Sequence, residues 1–598
     1  MTEYDFGPRI SASATQFRLW APLQDEIALA FEEGETLKME RSDDGWHRCE
    51  VGSARAGTTY SFILADGLPV PDPASRYQPR DVHGPSEVVD PHAYRWRTND
   101  WGGHSFDDLV LYELHVGAFT QEGTFAAAID RLDHLKSLGV TGIQIMPVAD
   151  FPGRRGWGYD GVLPYAPDSS YGRPEELKRL VDEAHARGIC AFLDVVYNHF
   201  GPDGNYLPLY APLFTDRHKT PWGNAINYDG NGSRPIREFV IQNAIYWITD
   251  FRFDGLRLDA VHAIKDRSQE HLLHELARRV REAAGERHIH LIIENEDNDG
   301  SLLERDEGGR PQFFSAQWND DIHHVLHVAA TGETFGYYAD YGDEIAKLGR
   351  ALAEGFVFQG EHMPYRGQKR GTRSGHLPPS AFVSFIQNHD QIGNRALGDR
   401  MTASRPGAVL RALAGVYLLS PQVPMIFMGE EWGAEEPFPY FCDFDEELNE
   451  KVKLGRRNEL SRLPGFDADD LPDPTAEATF LSAKLDWTKL ESDNCGQWLD
   501  FYRELLALRR QRITPLVTGI IREGGRYHVS AGGGLSVEWT LSGGGRLRLM
   551  ANLSDRTVEF DEEVVDENPI LLVGAFAAGR MAPWSVLWSI VAFRPSSR

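Results

Sequence analysis

Residues Gly255 to His262 read GLRLDAVH, an apolar run with an arginine and an aspartate two apart. Side chains two apart on a strand project to one face, so Arg257 and Asp259 stand together. A fixed positive charge keeps a neighbouring carboxylate ionised. In a cleft that carboxylate can attack an electrophile, ligate a metal or form half of an ion pair. On this stretch alone the ion pair is the favoured reading. Three further runs carry groups of the same kind. Asp194 opens DVVYNH and His199 closes it, Glu294 follows the apolar LII, and Asn388, His389 and Asp390 close FIQNHD. Asp259, Glu294 and Asp390 would converge if these runs were strands of one barrel. Like charges brought together cannot all ionise, so one acid keeps its proton near neutral pH. A carboxylate beside a retained carboxylic acid is what glycosidic-bond cleavage needs: one attacks or stabilises the sugar cation, the other protonates the leaving oxygen. Glu296 shares the strand face of Glu294 and is its rival. The place of Glu294 directly after the apolar run favours it.

Those residues need a scaffold, and the texture of the chain supplies one. Residues 1 to 96 read as β: FRLWAP (Phe17 to Pro22) and TTYSFILAD (Thr58 to Asp66) are bounded by turn residues. A small β-sandwich is expected there. The Pro-rich segment Pro69 to Ser86 then reads as an ordered linker lying against the next domain. From residue 97 to 512 short apolar strands alternate with amphipathic stretches. The strands are expected in VLYELHVGAF, GIQIMPVAD, CAFLDVVYNH, GLRLDAV, HIHLIIENE, FFSAQWND, FVSFIQNHD and VPMIFMGEE. Helices are expected over Phe125 to Gly139, Pro174 to Gly188, Ile236 to Phe251, His271 to Gly285 and Gln497 to Arg512. Eight such units predict an α/β chain built on a (β/α)8 TIM barrel, whose active site lies at the C-terminal ends of the strands. The Gly/Pro/Asn-rich excursion 200–234 reads as a functional insertion. The stretch Pro464 to Thr479 reads as a loop, and residues 513–598 as a C-terminal antiparallel β domain.

Composition excludes several classes. Acids outnumber bases 89 to 61, a net charge of −28, which repels nucleic acid and anionic membranes. Cys49, Cys190, Cys442 and Cys495 are scattered, so neither a disulfide framework nor a zinc site is expected. No apolar run of about 20 residues is present to span a bilayer. MTEYDFGPRI lacks the basic and then apolar pattern of a secretory leader, so none is expected. A cytoplasmic location and a monomer are the expectations.

Asp194-Val-Val-Tyr-Asn-His199, Gly255-Leu-Arg-Leu-Asp259, Glu294 and Asn388-His-Asp390 together resemble the four ordered motifs of the α-amylase superfamily, glycoside hydrolase family 13. The resemblance implies Asp259 as nucleophile, Glu294 as general acid and then base, and Asp390 as the group that stabilises the transition state. It implies Arg257 as the partner of Asp259, Tyr159 as the ring under the cleaved sugar, and His199 and His389 as hydrogen-bond partners of that sugar. Over most of residues 15 to 500 the chain also resembles the maltooligosyltrehalose trehalohydrolases, through PDPASRYQP, FPGRRGWGYDG, ENEDND, QWNDDIHH and GEEWGAEEPFPYFCDF. That resemblance implies a retaining hydrolase that releases trehalose from maltooligosyltrehalose and related α-glucans. It places Asn319, Asp320, Asp321, His323, Gln391 and Asn394 near the released trehalose, and Asp160 and His262 among the substrate-binding residues. It also makes part of the run Glu430, Glu431, Glu435, Glu436 an acceptor-side wall, and likens the N-terminal sandwich to immunoglobulin-like glucan-binding modules.

Blander readings stand beside these. The acid cluster could bind a divalent metal, with Asn198 where some family members ligate calcium, but nothing nearby completes a cage. No metal or cofactor is therefore expected. Trp157 and Trp318 could be core or sugar platforms. A branching enzyme shares the sandwich and the four motifs, and a catalytically dead glucan-binding protein is a further alternative that the intact acids oppose.

Overall fold

In the computed structural model, residues 4–32, 34–221, 223–342, 345–461, 471–560 and 569–591 are described. The eight expected strands close into one parallel barrel in chain order. They are β1 (Leu111–Leu114), β2 (Gly142–Ile145), β3 (Cys190–Val195), β4 (Gly255–Leu258), β5 (His290–Ile293), β6 (Ala316–Trp318), β7 (Phe382–Ser384) and β8 (Val423–Phe427). Closure is direct: Leu111, Tyr112 and Glu113 of β1 pair with Met425, Ile426 and Phe427 of β8. The strands are buried on both faces, as parallel strands under helices must be. Gly255 opens β4 where the chain has no room for a side chain. A Cβ there would stand 2.0 Å from the His290 carbonyl oxygen and 2.6 Å from the Phe192 ring.

Several expected elements end earlier than the apolar runs suggest. VLYELHVGAF is a strand only to Leu114, because His115 turns the chain. Its ring accepts the Ala118 N–H and caps a single helical turn, Val116–Phe119. The helix expected over Phe125 to Gly139 is two, Phe125–Ile129 and Leu132–Leu138. Thr124 caps the first and Gly139, at φ 106°, ends the second. GIQIMPVAD is likewise split, its last two residues pairing with Leu163–Pro167 in a separate ribbon.

The excursion 200–234 holds a hairpin, Phe214–Thr220 with Gly223–Ile226. A second long excursion, 332–381, separates β6 from β7 and carries the helix Ile345–Glu354 and the hairpin His362–Met363 with Gln368–Lys369. Glu446–Leu460 is a helix that buries only Leu460, so it has no apolar stripe to betray it. Of the stretch expected as a loop, Pro464 to Thr479, residues 464–470 lie outside the described residues, and Glu477–Ser482 is helical.

Two sheets face each other ahead of the barrel, joined by buried Phe17, Leu29, Tyr60 and Phe62. The Pro-rich segment that follows is largely buried, and Arg76 within it lies 4.5 Å and 4.4 Å from the rings of Tyr165 and Tyr246. After the barrel comes a five-stranded antiparallel sheet. It includes Ile520–Val529 and Leu535–Leu541, whose Gly-broken and polar sequences hid their strand character.

Candidate active site

Arg257 organises the barrel mouth. It is fully buried and points its guanidinium at three acids, one on β3 and one just past the C-terminal end of each of β4 and β5. Nη1 donates to Asp194 Oδ2 at 2.6 Å and to Asp259 Oδ1 at 3.1 Å, and Nη2 donates to Glu294 Oε2 at 2.6 Å. The guanidinium carbon stands 4.0 Å from the centroid of the buried Trp318 ring. A lysine could not make this fork, because its three donors share one nitrogen, whereas here two nitrogens spaced across a rigid plane each serve different acids. Asp259 Oδ2 accepts from the Asn198 amide at 2.7 Å, and that amide also reaches the Asp259 carbonyl at 2.9 Å. Ala260, in the left-handed region at φ 38°, turns the chain so that its N–H meets Glu294 Oε2 at 3.0 Å. Glu296 instead sits at the rim beside His262, 3.6 Å away.

A second charged group faces Arg257. His389 Nδ1 donates to Glu113 Oε1 at 2.7 Å, and its Nε2 lies 3.7 Å from Asp390 Oδ1. Burial lowers the affinity of this imidazole for a proton, but Glu113 and then Asp390 outweigh it and raise the pKa to about 9. Asp390 is raised by burial against the pull of His389, with Glu294 adding to the rise. Asp194, also buried, is pushed up to about 7 despite Arg257. Tyr159 donates to Asp194 at 2.7 Å and stacks on His389 at 5.1 Å.

The other expected site residues divide. Asp320, Gln391 and Asn394 line an open cleft together with Glu294, Asn388 and Asp390. Burial raises Asp320 well above the usual carboxylate range, and Glu294 adds to it. Asn319, Asp321 and His323 do not reach that cleft, contrary to expectation. Asn319 donates to the Gly355 carbonyl at 2.8 Å; His323 spends both ring nitrogens on the Ile386 carbonyl and the Tyr338 hydroxyl. Asp321 is saturated by Arg370, Tyr341, Asn298 and the Val357 N–H. His324, not His323, lines the cleft, because neighbours on a helix point about 100° apart. His199 engages the Tyr159 carbonyl at 3.0 Å and Asn198, so its nitrogens brace the tyrosine loop. Asp160 accepts from Tyr440 at 3.2 Å, and His262 accepts the Glu296 N–H at 3.3 Å.

Trp157 stacks on Phe438 and Trp318 lies under Arg257, so both are core. Glu430 and Glu431 form no acceptor wall. Both are buried, bonded to Tyr417, Tyr502 and Gln387, and to Tyr112 and His134. Sequence reasoning passed over Glu113, Asn198 as a clamp on Asp259, and Arg370. Among the described residues no group of three metal-ligating side chains is placed to hold an ion. The Asn198 amide faces Asp259 rather than a cage.

Comparison with known proteins follows the same lines. The alpha amylase catalytic domain profile matches residues 93–208, and a domain of unknown function, DUF3459, matches 522–588. Malto-oligosyltrehalose trehalohydrolase of Saccharolobus solfataricus is 41% identical over 529 residues, 88% of this chain and 91% of that protein. A solved Salmonella typhimurium structure ascribed to the alpha amylases superposes with a TM-score of 0.94 at 44% identity, covering 99% of this chain and 100% of that one. The 1,4-alpha-glucan branching enzyme GlgB of Pseudoalteromonas atlantica is 28% identical over 291 residues, only 44% of this chain and 40% of that protein.

Proposed function

The chain belongs to the malto-oligosyltrehalose trehalohydrolase family, and from that premise we propose that its barrel mouth cleaves the α-1,4 bond next to the terminal trehalose of maltooligosyltrehalose. The observation that carries the reading is the Arg257 fork, which gathers Asp259 and Glu294 from adjacent strands onto adjacent nitrogens of one guanidinium. Such close placement suits retaining chemistry, whose carboxyl pair stands roughly 5 Å apart.

In this reading Asp259 attacks C1 of the glucosyl unit and forms a glycosyl ester. Glu294 gives its proton to the departing trehalose oxygen as the C1–O bond breaks. Water then enters, Glu294 takes its proton, and the hydroxide displaces Asp259 to leave a maltooligosaccharide. Arg257 and Asn198 hold the two oxygens of Asp259 in line for attack. Tyr159 offers its ring beneath the sugar, and His389 and Asp390 meet the sugar hydroxyls as the ring flattens. Both ends of the reacting C1–O bond are thereby served by groups already oriented, which is where most of the rate gain arises.

We assign the chemistry to residues 97–512 alone, with 1–96 and 513–598 as separate flanking units. We place the enzyme in the cytoplasm as a monomer. The four cysteines are free thiols, as a reducing compartment favours, and among the described residues no helix is long and apolar enough to cross a membrane. Product analysis on maltooligosyltrehalose and on amylose tests the activity. Free trehalose as the main product supports it; chain transfer on amylose without trehalose would assign a branching enzyme instead. Asp259→Asn, which keeps size and the Asn198 contact region, should abolish turnover and leave the fold intact.

A further inference from the structure

The cleft beside Glu294 is asymmetric. Glu294 lines it, and Asp259 does not. A leaving group must reach the acid that protonates it, so on the reading above this cleft receives the leaving half of the substrate. One side chain in its wall is built differently from the rest. Arg370 comes from the excursion between β6 and β7, is buried to about 5% exposure, and is fixed on two of its three nitrogens. Nε donates to the Glu296 carbonyl at 2.8 Å. Nη1 donates to Asp321 Oδ1 at 2.8 Å and to the Tyr341 hydroxyl at 2.5 Å. Nη2 has no protein partner among the described residues, and Arg370 lines the cleft. Nη2 is therefore not sealed in the core: it opens onto the cleft, where its two N–H groups are free to meet a bound molecule.

Asp321 explains how the group is held. It takes four donors from four segments: Arg370, Tyr341, Asn298 and the Val357 N–H. It joins the helix after β6 to both ends of the excursion and leaves Arg370 one arrangement.

We propose that Arg370 is a specificity-determining residue whose Nη2 donates to hydroxyls of the departing trehalose, and that Asp321 is the positioning residue that aims it. The idea rests on the hydrolase reading, and its test separates the two. A planar, pre-aimed nitrogen with two N–H groups meets two sugar oxygens without ordering a mobile side chain. Recognition of the leaving group then differs from recognition of the chain that stays on Asp259.

The test compares two substrates in one folded protein: maltooligosyltrehalose and a 4-nitrophenyl α-maltooligoside, whose leaving group lacks hydroxyls. Arg370→Lys keeps the charge beside Asp321 and removes Nη2. It should lose on the order of 10- to 100-fold in kcat/KM on the trehalose substrate. The loss on the aryl substrate should be at least about tenfold smaller, and inhibition of aryl hydrolysis by free trehalose should weaken in parallel with the larger loss. Asp321→Asn should raise KM for the trehalose substrate while kcat holds. Equal losses on both substrates with unchanged trehalose inhibition would overturn the proposal and leave Arg370 a structural group. If Arg370→Lys does not fold, Arg370→Gln carries the same comparison. Failure of the wild type to release trehalose would sink the activity, while trehalose inhibition of aryl hydrolysis still decides the role of Arg370.

Discussion

Replacing Glu113 by glutamine should remove a stabilisation that exists only while His389 is charged. His389 is 1% exposed, donates Nδ1–H to Glu113 at 2.7 Å, and has its pKa raised from the ordinary 6.5 to about 9. The folded pKa exceeds the unfolded one. The stabilisation is therefore complete below about pH 6.5 and is lost as pH rises through 9. The interval between those values is worth roughly 3 kcal/mol at its full extent. Glu113→Gln keeps the shape and one acceptor oxygen but not the charge, so the imidazole should turn neutral near pH 7. The assay is equilibrium urea unfolding of wild type and variant at pH 6 and pH 10. The gap in stability should be on the order of 2–3 kcal/mol at pH 6 and close to nothing at pH 10. Loss of the charged ring should also lower turnover at neutral pH, because Nε2 faces Asp390 at the mouth. An equal gap at both pH values would refute the reasoning, since it would show that the charge on His389 does not couple to Glu113.

Two further substitutions probe the same mouth. Asn198→Ala removes the amide that holds Asp259 Oδ2 at 2.7 Å, and a hydrogen bond to a carboxylate is worth about 1.5–3 kcal/mol. Turnover should fall on the order of 10- to 100-fold with the melting profile little changed, and undiminished turnover would show that Arg257 alone orients the nucleophile. Gly393→Ala would place a Cβ 2.0 Å from Cζ2 of the buried Trp157 ring. That ring is stacked on Phe438 and cannot yield, so a cost of about 1–3 kcal/mol is expected in urea unfolding, and an unchanged midpoint would mean that this wall of the site is softer than its packing implies.

Much of the scaffold was legible in sequence because its signals are local. Apolar runs of strand length, separated by amphipathic stretches, repeat eight times and close in that order. Their ends were less legible. His115 cuts a strand short by capping the helical turn after it, and the helix from Phe125 breaks at Asp130–Arg131; neither break interrupts the apolar pattern that periodicity alone would continue. The exposed helix Glu446–Leu460 carried no stripe to read. Glu113 did leave a trace, as an acid inside the buried run VLYELHVGAF, which must find a partner. Nothing local says that the partner is His389.

By itself the sequence determined which residue types could do chemistry and that Arg257 and Asp259 share a face, since strand alternation needs no knowledge of the rest of the chain. Only the tertiary structure decided what meets them. Arg257 gathers Asp194, Asp259 and Glu294 because three strands far apart in sequence lie side by side in a closed sheet. Asp320 faces the cleft while Asp321 is locked behind it, and His324 replaces His323 at the wall. Those pairs are chemically identical and adjacent. What separates them is helix rotation and the excursion that packs against the helix, and both are properties of the folded whole.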